Sequence, residues 1–393
     1  MKVAIVHDWL YVLGGAERVL SEILKCYPEA DVFALFDILD ESARNEIGLK
    51  KVQTSFLQNM PLIKSHHRLY LPLMPLAIEQ FDLTSYDLVI SSSYAVAHGV
   101  ITGPDQIHIA YIHSPMRYAW DLQHSYLRQS GKSRGLSSLV ARWILHHMRI
   151  WDVRTAHGPD AIASNSQFVA RRIRKCYGRK ATVIHPPVSL TQSPPLRQRG
   201  EHFLAASRLV PYKNIDLIVR AFAQMPDLKL IVAGSGPEAA RLKRMAGPNV
   251  TFAGWLSNED LRSLMASARA FVFASEEDFG IIPVEALSEG TPVIAYGRGG
   301  VLETVRAVDP DRTGLFFAEQ TEDSLIDGVR RFIASESRFS RMACRKQAET
   351  FSAEVFRKKF VTFVESHMPG NRAALGLPRP DLEDTVQLCT GTD

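Results

Sequence analysis

The sequence predicts an α/β protein of two domains, each built on a doubly wound parallel sheet. Short apolar runs of the length of buried parallel strands alternate with helical patterns along the chain. Four prolines with polar neighbours between Ile184 and Gly200 interrupt this alternation and indicate a linker. Two strand–helix series on either side of a linker favour two domains that face each other.

The apolar runs predict ten strands, five in each half. In the first half, strands are expected at Lys2–Val6, Asp31–Leu35, Leu88–Ser91, His108–His113 and Ala161–Ser164. In the second half, they are expected at Phe203–Ala206, Leu228–Ala233, Val250–Ala253, Ala270–Ala274 and Pro292–Ala295. The predicted division is a first domain over 1–188, a linker over 189–200, a second domain over 201–350, an amphipathic helix within 351–368 and a disordered polar tail over 369–393.

Composition limits the class of protein. The 393 residues are 46% apolar, enough to fill two cores. No apolar stretch reaches the roughly eighteen residues of a membrane span, and the run after Met1-Lys2 is a strand rather than a signal peptide. Four cysteines are scattered without metal-ligand spacing, which favours reduced thiols in a cytoplasmic protein: Cys26, Cys176, Cys344 and Cys389.

Positive charge is concentrated in one segment although the net charge is only +4. Between Tyr111 and Lys180, thirteen Lys and Arg are opposed by three Asp. This pattern indicates either an anionic partner or a merely solubilising face. No nucleic-acid motif accompanies it, so phospholipid head groups or a lipid diphosphate are favoured over nucleic acid.

The segment Ser275–Glu285 is the most informative about function. It follows the apolar run Ala270–Ala274, and a helix is expected from Gly280 to Glu289. Glu277 would then lie at the carboxyl end of a parallel strand, where open α/β sheets bind ligands. Glu285 lies about one turn into the helix. Free backbone N–H groups at the helix start suit an anion, namely those of Phe279, Gly280 and Ile281. Acceptors for hydroxyls beside donors for a phosphate suit a sugar nucleotide, whereas two solvated carboxylates near a helix start are the simpler alternative.

Three further loops carry residues suited to the same ligand. Gly14-Gly15 after the first strand allows close approach of backbone N–H groups to a phosphate or sugar oxygen. Arg208 and Lys213 leave a strand end within one loop, and a guanidinium with an ammonium suits a diphosphate. His113 ends a strand of the first domain, where it is either structural or in contact with a ligand.

Other segments are less specific. Gly234, in Gly-Ser-Gly-Pro, and the turn at Trp255-Leu256 are explained equally well by structure and by ligand binding. Asp309-Pro310-Asp311 is a D-x-D pattern, but it reads as a turn before a strand, and no metal site is expected there. A nicotinamide-dependent oxidoreductase is disfavoured because the first loop lacks G-x-G-x-x-G.

Taken in order, these motifs resemble the retaining glycosyltransferases of family 4, which have the GT-B fold. The resemblance rests on Glu-x7-Glu with Phe-Gly inside it, on Gly-Gly-Ala-Glu-Arg, on His113 and on Arg-x4-Lys, and it covers roughly residues 1–365. It implies that the second domain binds a sugar nucleotide and that the first domain holds the acceptor. It also implies that the last helix packs on the first domain, and that transfer occurs on one face of the sugar without metal or other cofactor.

The resemblance assigns roles to individual residues. Glu277 is implied to bind hydroxyls of the donor sugar, and Glu285 those of the ribose. The implied catalytic residues are His113, Arg208, Lys213 and Glu277. The implied donor-binding residues are Gly14, Gly15, Arg208, Lys213, Gly234, Trp255, Leu256, Glu277, Phe279, Gly280, Ile281 and Glu285. The implied acceptor-binding residues are Asp8, Tyr94, Arg117 and Tyr118.

Within the family, the Gly-Gly-Ala-Glu-Arg-Val and His-Ser-Pro-Met-Arg-Tyr-Ala-Trp-Asp segments look most similar to bacterial mannosyltransferases of polysaccharide and O-antigen synthesis. The expected donor is GDP-mannose and the expected acceptor is a saccharide on polyprenyl diphosphate. A UDP-sugar donor and a non-catalytic sugar-nucleotide-binding scaffold are the alternatives. Tryptophans and basic residues are interleaved over Ser137–His157, so this helix either lies on anionic lipid at the inner face of the cytoplasmic membrane or is a core stripe with a solvated face.

Overall fold

Two parallel sheets organise the computed structural model, which describes residues 1–190 and 199–368. The first sheet contains β1 (Val3–His7), β2 (Asp31–Ala34), β3 (Val52–Thr54), β4 (Leu88–Ser93), β5 (Ile107–Ile112), β6 (Ala161–Ser164) and β7 (Thr182–Val183). The second contains β8 (His202–Ala206), β9 (Lys229–Ala233), β10 (Val250–Gly254), β11 (Ala270–Phe273), β12 (Val293–Tyr296) and β13 (Gly314–Phe317).

The strand orders are β3-β2-β1-β4-β5-β6-β7 and β10-β9-β8-β11-β12-β13, with every pair parallel. In each sheet the first strand lies in the interior, and the strand order reverses beside it, at β1/β4 and at β8/β11. Both sheets are therefore doubly wound, which confirms the predicted fold class.

The helices of the described residues connect the strands. They are α1 (Gly15–Cys26), α2 (Glu41–Ile47), α3 (Ile63–His66), α4 (Met74–Glu79), α5 (Gln123–Gln129), α6 (Leu136–Thr155), α7 (Gln167–Tyr177), α8 (Ile215–Ala223), α9 (Ala239–Met245), α10 (Asn258–Ser267), α11 (Ile281–Ser288), α12 (Val301–Thr304), α13 (Glu322–Ala334), α14 (Arg341–Glu349) and α15 (Ala353–Glu365). Short 3₁₀ helices occupy Phe56–Asn59, His67–Leu73, Ala97–Gly99, Pro211–Lys213 and Glu336–Arg338. Within the described ranges, no helix combines the length and the apolar character needed to cross a bilayer.

Each sheet separates two apolar layers. Along β1, Val3 and Ile5 contribute to one buried cluster, whereas Ala4 and Val6 contribute to the cluster on the opposite face. Successive side chains of a strand point to opposite faces of the sheet, and both faces are buried here. The strands are therefore apolar on both faces, which is why short apolar runs predicted them.

The last helix belongs to the core of the first sheet. Phe356 and Phe360 of α15 are buried and stack on each other, with ring centroids 5.6 Å apart. They share a cluster with Val3 and Ile5 of β1. The chain thus returns from the second sheet to the first.

Two short strands, β3 and β7, were not predicted from the sequence. β3 and β7 have three and two residues, and their partly exposed side chains give no apolar run. The predicted linker 189–200 falls largely on residues 191–198, which lie outside the described residues, as does the tail predicted over 369–393.

Candidate active site

The candidate site lies where the carboxyl ends of the two sheets face each other. In doubly wound sheets, a crevice opens beside the strand pair at which the strand order reverses. The loops after β1, β4, β8 and β11 carry predicted site residues, among them Gly14, Tyr94, Lys213 and Glu277. The two edges are in contact, because Arg18 Nη1 of α1 lies 2.6 Å from Glu285 Oε1 of α11.

The loop after β11 carries Glu277 and, three residues later, a glycine in the left-handed region. Gly280 has a φ of 83° and immediately precedes α11, and most other residues would be strained there. The Phe279 side chain is buried against His185 and Phe351, with ring centroids 5.6 and 5.5 Å away. Phe279 therefore anchors the loop in the core, which leaves its backbone as the part able to bind a ligand.

A second glycine pair, missed in the sequence, supports this loop. Gly300 N donates to Glu277 O at 2.8 Å. A Cβ on Gly299 would lie 2.5 Å from Glu277 O, and one on Gly300 would lie 2.4 Å from Asp278 O. Only glycine permits this approach, so Gly299 and Gly300 fix the position of Glu277. The signal available was the glycine-rich segment Gly297–Gly300 directly after an apolar run.

The structure brings Lys213 and Glu277 together. Lys213 Nζ lies 2.5 Å from Glu277 Oε1, and both side chains are largely buried. Arg208, from the same loop, is exposed and has no ion-pair partner within the described part of the chain. The loop after β8 thus places one cation on the carboxylate and leaves the other in solvent.

The Gly-Ser-Gly motif fixes the position of this cationic loop. A Cβ on Gly234 would lie 1.9 Å from Ser207 O, and one on Gly236 would lie 2.4 Å from Leu209 O. Both glycines also have positive φ, 126° and 155°. Close approach to residues 207–209 accounts for both glycines, and a contact of Gly234 with the donor stays a prediction.

Beside the Arg18–Glu285 pair lies a cavity of about 240 Å³. Its lining includes both partners of the pair and Asn258 and Leu261 of α10. The turn at Trp255-Leu256, which was predicted to bind the donor, precedes α10, and in it the Trp255 side chain is 75% exposed and Leu256 is partly buried. Glu285 thus borders a cavity between the domains, and the contacts of Trp255 and Leu256 with the donor stay predictions.

Gly15 approaches the second domain closely. A Cβ on Gly15 would lie 2.7 Å from Ile281 Cδ1, at the start of α11. Its neighbour Gly14 is extended, with its N–H donated to Glu17 Oε2 at 2.9 Å. The Gly-Gly loop therefore allows close approach of the two domains, and its contact with a donor stays a prediction.

His113 is nearly buried at the carboxyl end of β5. Its Nε2 lies 2.9 Å from Ser92 Oγ. Burial, helped by the nearby His7, lowers the pKa of His113 to about 3, so the ring is neutral at physiological pH. A neutral imidazole can position a hydroxyl but cannot supply a positive charge.

Asp8 does not reach the cleft, contrary to its predicted contact with the acceptor. It is fully buried, and its carboxylate accepts backbone N–H bonds of 2.6–3.0 Å from four consecutive residues, 94–97. Asp8 thereby holds the loop after β4. That loop carries Tyr94, whose ring contacts those of Trp9 and His113 with centroids 5.0 and 6.1 Å away.

Arg117 and Tyr118 lie on the first-domain side of the cleft. Arg117 Nη1 is 3.4 Å from Asp278 Oδ2 of the second domain. Arg172 Nη1 is 2.8 Å from the other oxygen of Asp278, a contact that the sequence did not indicate. The Tyr118 hydroxyl is buried without a hydrogen-bond partner in the described ranges. Arg117 and Arg172 thus join the first domain to Asp278 of the second, and a contact of Tyr118 with the acceptor stays a prediction.

Among residues 1–190 and 199–368, no group of three or more His, Cys, Asp or Glu could hold a metal ion. In the D-x-D segment, Asp309 pairs with Arg312 at 2.9 Å and Asp311 lies 3.9 Å from Arg306. These carboxylates form local ion pairs.

Two protein-family models match the chain. "Glycosyltransferase Family 4" matches residues 13–192, and "Glycosyl transferases group 1" matches residues 190–351. Together the two matches span most of the chain, from the Gly-Gly loop to the start of the last helix.

Curated relatives match over shorter stretches. A GDP-mannose-dependent monoacylated α-(1-6)-phosphatidylinositol monomannoside mannosyltransferase of Corynebacterium glutamicum is 27% identical over 53% of this chain and 62% of its own length. The uncharacterized glycosyltransferase YqgM of Bacillus subtilis is 29% identical over 41% of this chain and 49% of its own length. The matched region thus spans about half to three fifths of these relatives.

Solved structures share the fold over nearly the whole chain. The Anabaena protein Alr3699/HepE, in complex with UDP-glucose, has a TM-score of 0.66 and 20% identity, covering 93% of this chain and 100% of its own. Its two facing parallel-sheet domains are the GT-B arrangement found here.

Proposed function

The chain belongs to family 4 of the glycosyltransferases, and on that premise we propose that it transfers a sugar from a nucleotide donor to a hydroxyl of a lipid-linked saccharide, with retention of configuration. GDP-mannose is the proposed donor. The observation that carries the proposal is the meeting of two charge pairs, Lys213–Glu277 and Arg18–Glu285, at the facing sheet edges.

Both pairs are suited to exchange partners with a sugar nucleotide. A carboxylate accepts hydrogen bonds from sugar hydroxyls, and an ammonium or guanidinium binds phosphate oxygens. In this arrangement Glu277 binds hydroxyls of the transferred sugar and Glu285 those of the ribose. Lys213 turns from Glu277 to the diphosphate, and Arg208 joins it from solvent.

The proposed reaction takes place on one face of the sugar. The acceptor oxygen forms a bond to the anomeric carbon while the bond from that carbon to the diphosphate oxygen breaks. The acceptor proton passes to the departing phosphate oxygen, so no protein carboxylate forms a covalent intermediate, in contrast to retaining glycosidases. Lys213 and Arg208 stabilise the negative charge that builds up on the diphosphate. No metal is required by this chemistry.

The choice of donor is supported by the Corynebacterium relative, whose name includes GDP-mannose as donor. The UDP-glucose in the Anabaena structure shows that a fold of this kind also accommodates a UDP-sugar. GDP-mannose and UDP-glucose differ in both base and sugar, so a panel of donors separates the two possibilities.

A lipid-linked acceptor suits the outer face of α6. Leu139, Trp143 and Ile150 are 64%, 63% and 56% exposed, whereas Leu145 and Met148 on the inner face are buried. The exposed basic residues Lys132 and Arg134 precede the helix. Apolar side chains beside basic ones are typical of a surface that lies on anionic lipid, and we propose this contact for α6.

The test is release of nucleoside diphosphate over a panel of GDP- and UDP-sugars, with and without EDTA. We expect selective turnover of GDP-mannose that EDTA does not change. Glu277→Ala should reduce the rate at least about a hundredfold, the scale of losing one group that stabilises the transition state. Glu276→Ala, in the same loop, is the matched control and should retain activity.

Selection of a UDP-sugar would overturn the mannose assignment. Nucleotide-sugar binding without turnover, also in the presence of a polyprenyl-diphosphate-linked saccharide, would overturn the enzyme proposal and favour a binding scaffold.

A further inference from the structure

A buried polar chain connects the Gly-Gly loop to His113. Ser92 Oγ lies 3.1 Å from His7 Nδ1 and 2.9 Å from His113 Nε2. On the other side of the His7 ring, Nε2 lies 3.5 Å from Glu17 Oε1. The second oxygen of Glu17 accepts the Gly14 N–H at 2.9 Å. His7 and Ser92 are fully buried and Glu17 nearly so, so the chain is shielded from solvent.

The number of hydrogens fixes the direction of each contact. An ionised carboxylate only accepts, so Glu17 favours a hydrogen on His7 Nε2, which has no better partner in the described part of the chain. His7 Nε2 and Glu17 Oε1 are 3.5 Å apart, so the preference comes from electrostatic attraction and not from an aligned hydrogen bond. When Nε2 carries the one hydrogen of the His7 ring, Nδ1 has a lone pair to which the Ser92 hydroxyl donates. Because that hydroxyl has one hydrogen, its oxygen accepts from His113 Nε2–H.

We propose that Glu17, acting through His7 and Ser92, holds His113 in the Nε2–H tautomer and so presents Nδ1 to the donor sugar as a hydrogen-bond acceptor. Glu17, His7 and Ser92 are positioning residues. The hydroxyl that Nδ1 binds rests on the proposed function, whereas the tautomer is a property of the protein alone.

The tautomer matters because the His113 ring is neutral. Its low pKa, caused by burial, keeps the second hydrogen off the ring at physiological pH. The ring nitrogen that carries the single hydrogen then decides whether the cleft is offered a donor or an acceptor. Among the described residues, His113 Nδ1 has no hydrogen-bond partner, so this nitrogen is the one available to a ligand.

Glu17→Gln should reverse the direction of the hydrogen bonds that link residue 17 to His113 through His7 and Ser92. The single amide oxygen of the new side chain is needed by the Gly14 N–H, which directs the amide NH₂ towards His7 Nε2. His7 then carries its hydrogen on Nδ1 and donates to Ser92. The Ser92 hydroxyl donates in turn to His113 Nε2, and the His113 hydrogen moves to Nδ1.

The measurement is the ¹⁵N chemical shifts of His113 in protein labelled with ¹⁵N-histidine, assigned by comparison with His113→Gln. Wild-type protein should show the Nε2–H tautomer, and Glu17→Gln should show Nδ1–H. In Ser92→Ala, which breaks the chain, adding Glu17→Gln should leave the His113 signal unchanged. A wild-type Nδ1–H tautomer, or a tautomer that does not respond to Glu17→Gln, would overturn the proposal.

The neighbouring strand residue supplies a matched control. Ser91 Oγ lies 2.8 Å from His108 Nε2, and both residues are fully buried. Ser91→Ala therefore removes the same kind of buried contact without touching the chain to His113. Ser91→Ala should leave the His113 tautomer unchanged. A change of the His113 tautomer in Ser91→Ala would indicate a general packing effect and overturn the proposal.

Kinetics separate this inference from the proposed function. If His113 Nδ1 accepts a hydrogen bond from the donor sugar, Glu17→Gln should lower kcat/KM for the donor about tenfold, the value of one buried hydrogen bond. Failure of the wild-type protein to turn over any nucleotide sugar would overturn the proposed function, while the NMR result would still decide the tautomer.

Discussion

At the scale of residues, the groups predicted to bind the donor are paired with each other. Glu277 is held by Lys213 and Glu285 by Arg18. Leaving either carboxylate partly buried without a cation would cost free energy, so these pairs stabilise the cleft until a ligand replaces them. A sugar nucleotide offers hydroxyls that can replace Lys213 at Glu277 and Arg18 at Glu285, and its diphosphate offers Lys213 a new partner.

Arg18→Ala tests whether the Glu285 pair competes with the donor. Glu285 should then be free to bind the ribose, and donor affinity should rise by up to about fivefold, because a partly exposed pair contributes up to about 1 kcal/mol. Isothermal titration with GDP-mannose and GDP measures this. Arg331→Ala removes a pair of equal length, 2.6 Å to Asp327, away from the cleft and should have no effect. Weaker binding in Arg18→Ala would show that Arg18 contacts the donor itself.

At the scale of elements, the N-terminus of α7 is bound by a carboxylate from the other domain. Glu303 of α12 accepts the N–H groups of Gln167 and Phe168 at 2.8 and 3.0 Å, and lies 3.0 Å from His185 Nε2. Burial acts to raise the pKa of Glu303, but the hydrogen bonds from His185 and from these N–H groups outweigh it and hold the pKa below 4.5. An anion at a helix N-terminus is favoured by the free N–H groups and the helix dipole.

The Glu303 contact should stabilise the protein in a pH-dependent way. Because its pKa is lowered in the folded protein, its contribution is present above pH 4.5 and is lost as the pH falls through the folded value. Glu303→Gln should lower the free energy of unfolding by about 1 kcal/mol at neutral pH. The difference from wild type should vanish in acid, as measured by urea unfolding. The exposed Glu319→Gln should show no difference at either pH, and an undiminished Glu303→Gln effect in acid would contradict the assignment.

The α6 surface makes a second prediction at this scale. Trp143→Ala should weaken binding to vesicles that contain anionic phospholipid roughly 10- to 100-fold, because one buried aromatic contributes roughly 1.5–3 kcal/mol. Co-sedimentation measures the bound fraction. Met342, 65% exposed on the second domain, supplies the control Met342→Ala. Equal binding of Trp143→Ala and wild type would show that the outer face of α6 faces solvent and does not contact the lipid.

At the scale of the whole molecule, the sequence predicted the architecture well because strands buried on both faces are continuous apolar runs. Short edge strands such as β3 and β7 lack that signal. The roles predicted for Glu277, Lys213 and His113 came from motifs. The ion pair between Lys213 and Glu277 was not predicted, because it joins residues far apart in the chain. Asp278 and Glu303 were missed because nothing local distinguishes a carboxylate that reaches across a cleft from one in solvent. The contact of Glu17 with His7 was missed because it forms only when the first helix packs beside the first strand.

The most direct test of the central claim is the configuration of the sugar released or transferred from GDP-α-mannose, followed by ¹H NMR before mutarotation. Attack on the face from which the diphosphate leaves predicts that the α-anomer appears first and that Glu277→Ala abolishes the signal. Initial formation of the β-anomer would contradict the proposed mechanism, because it requires a nucleophile on the opposite face.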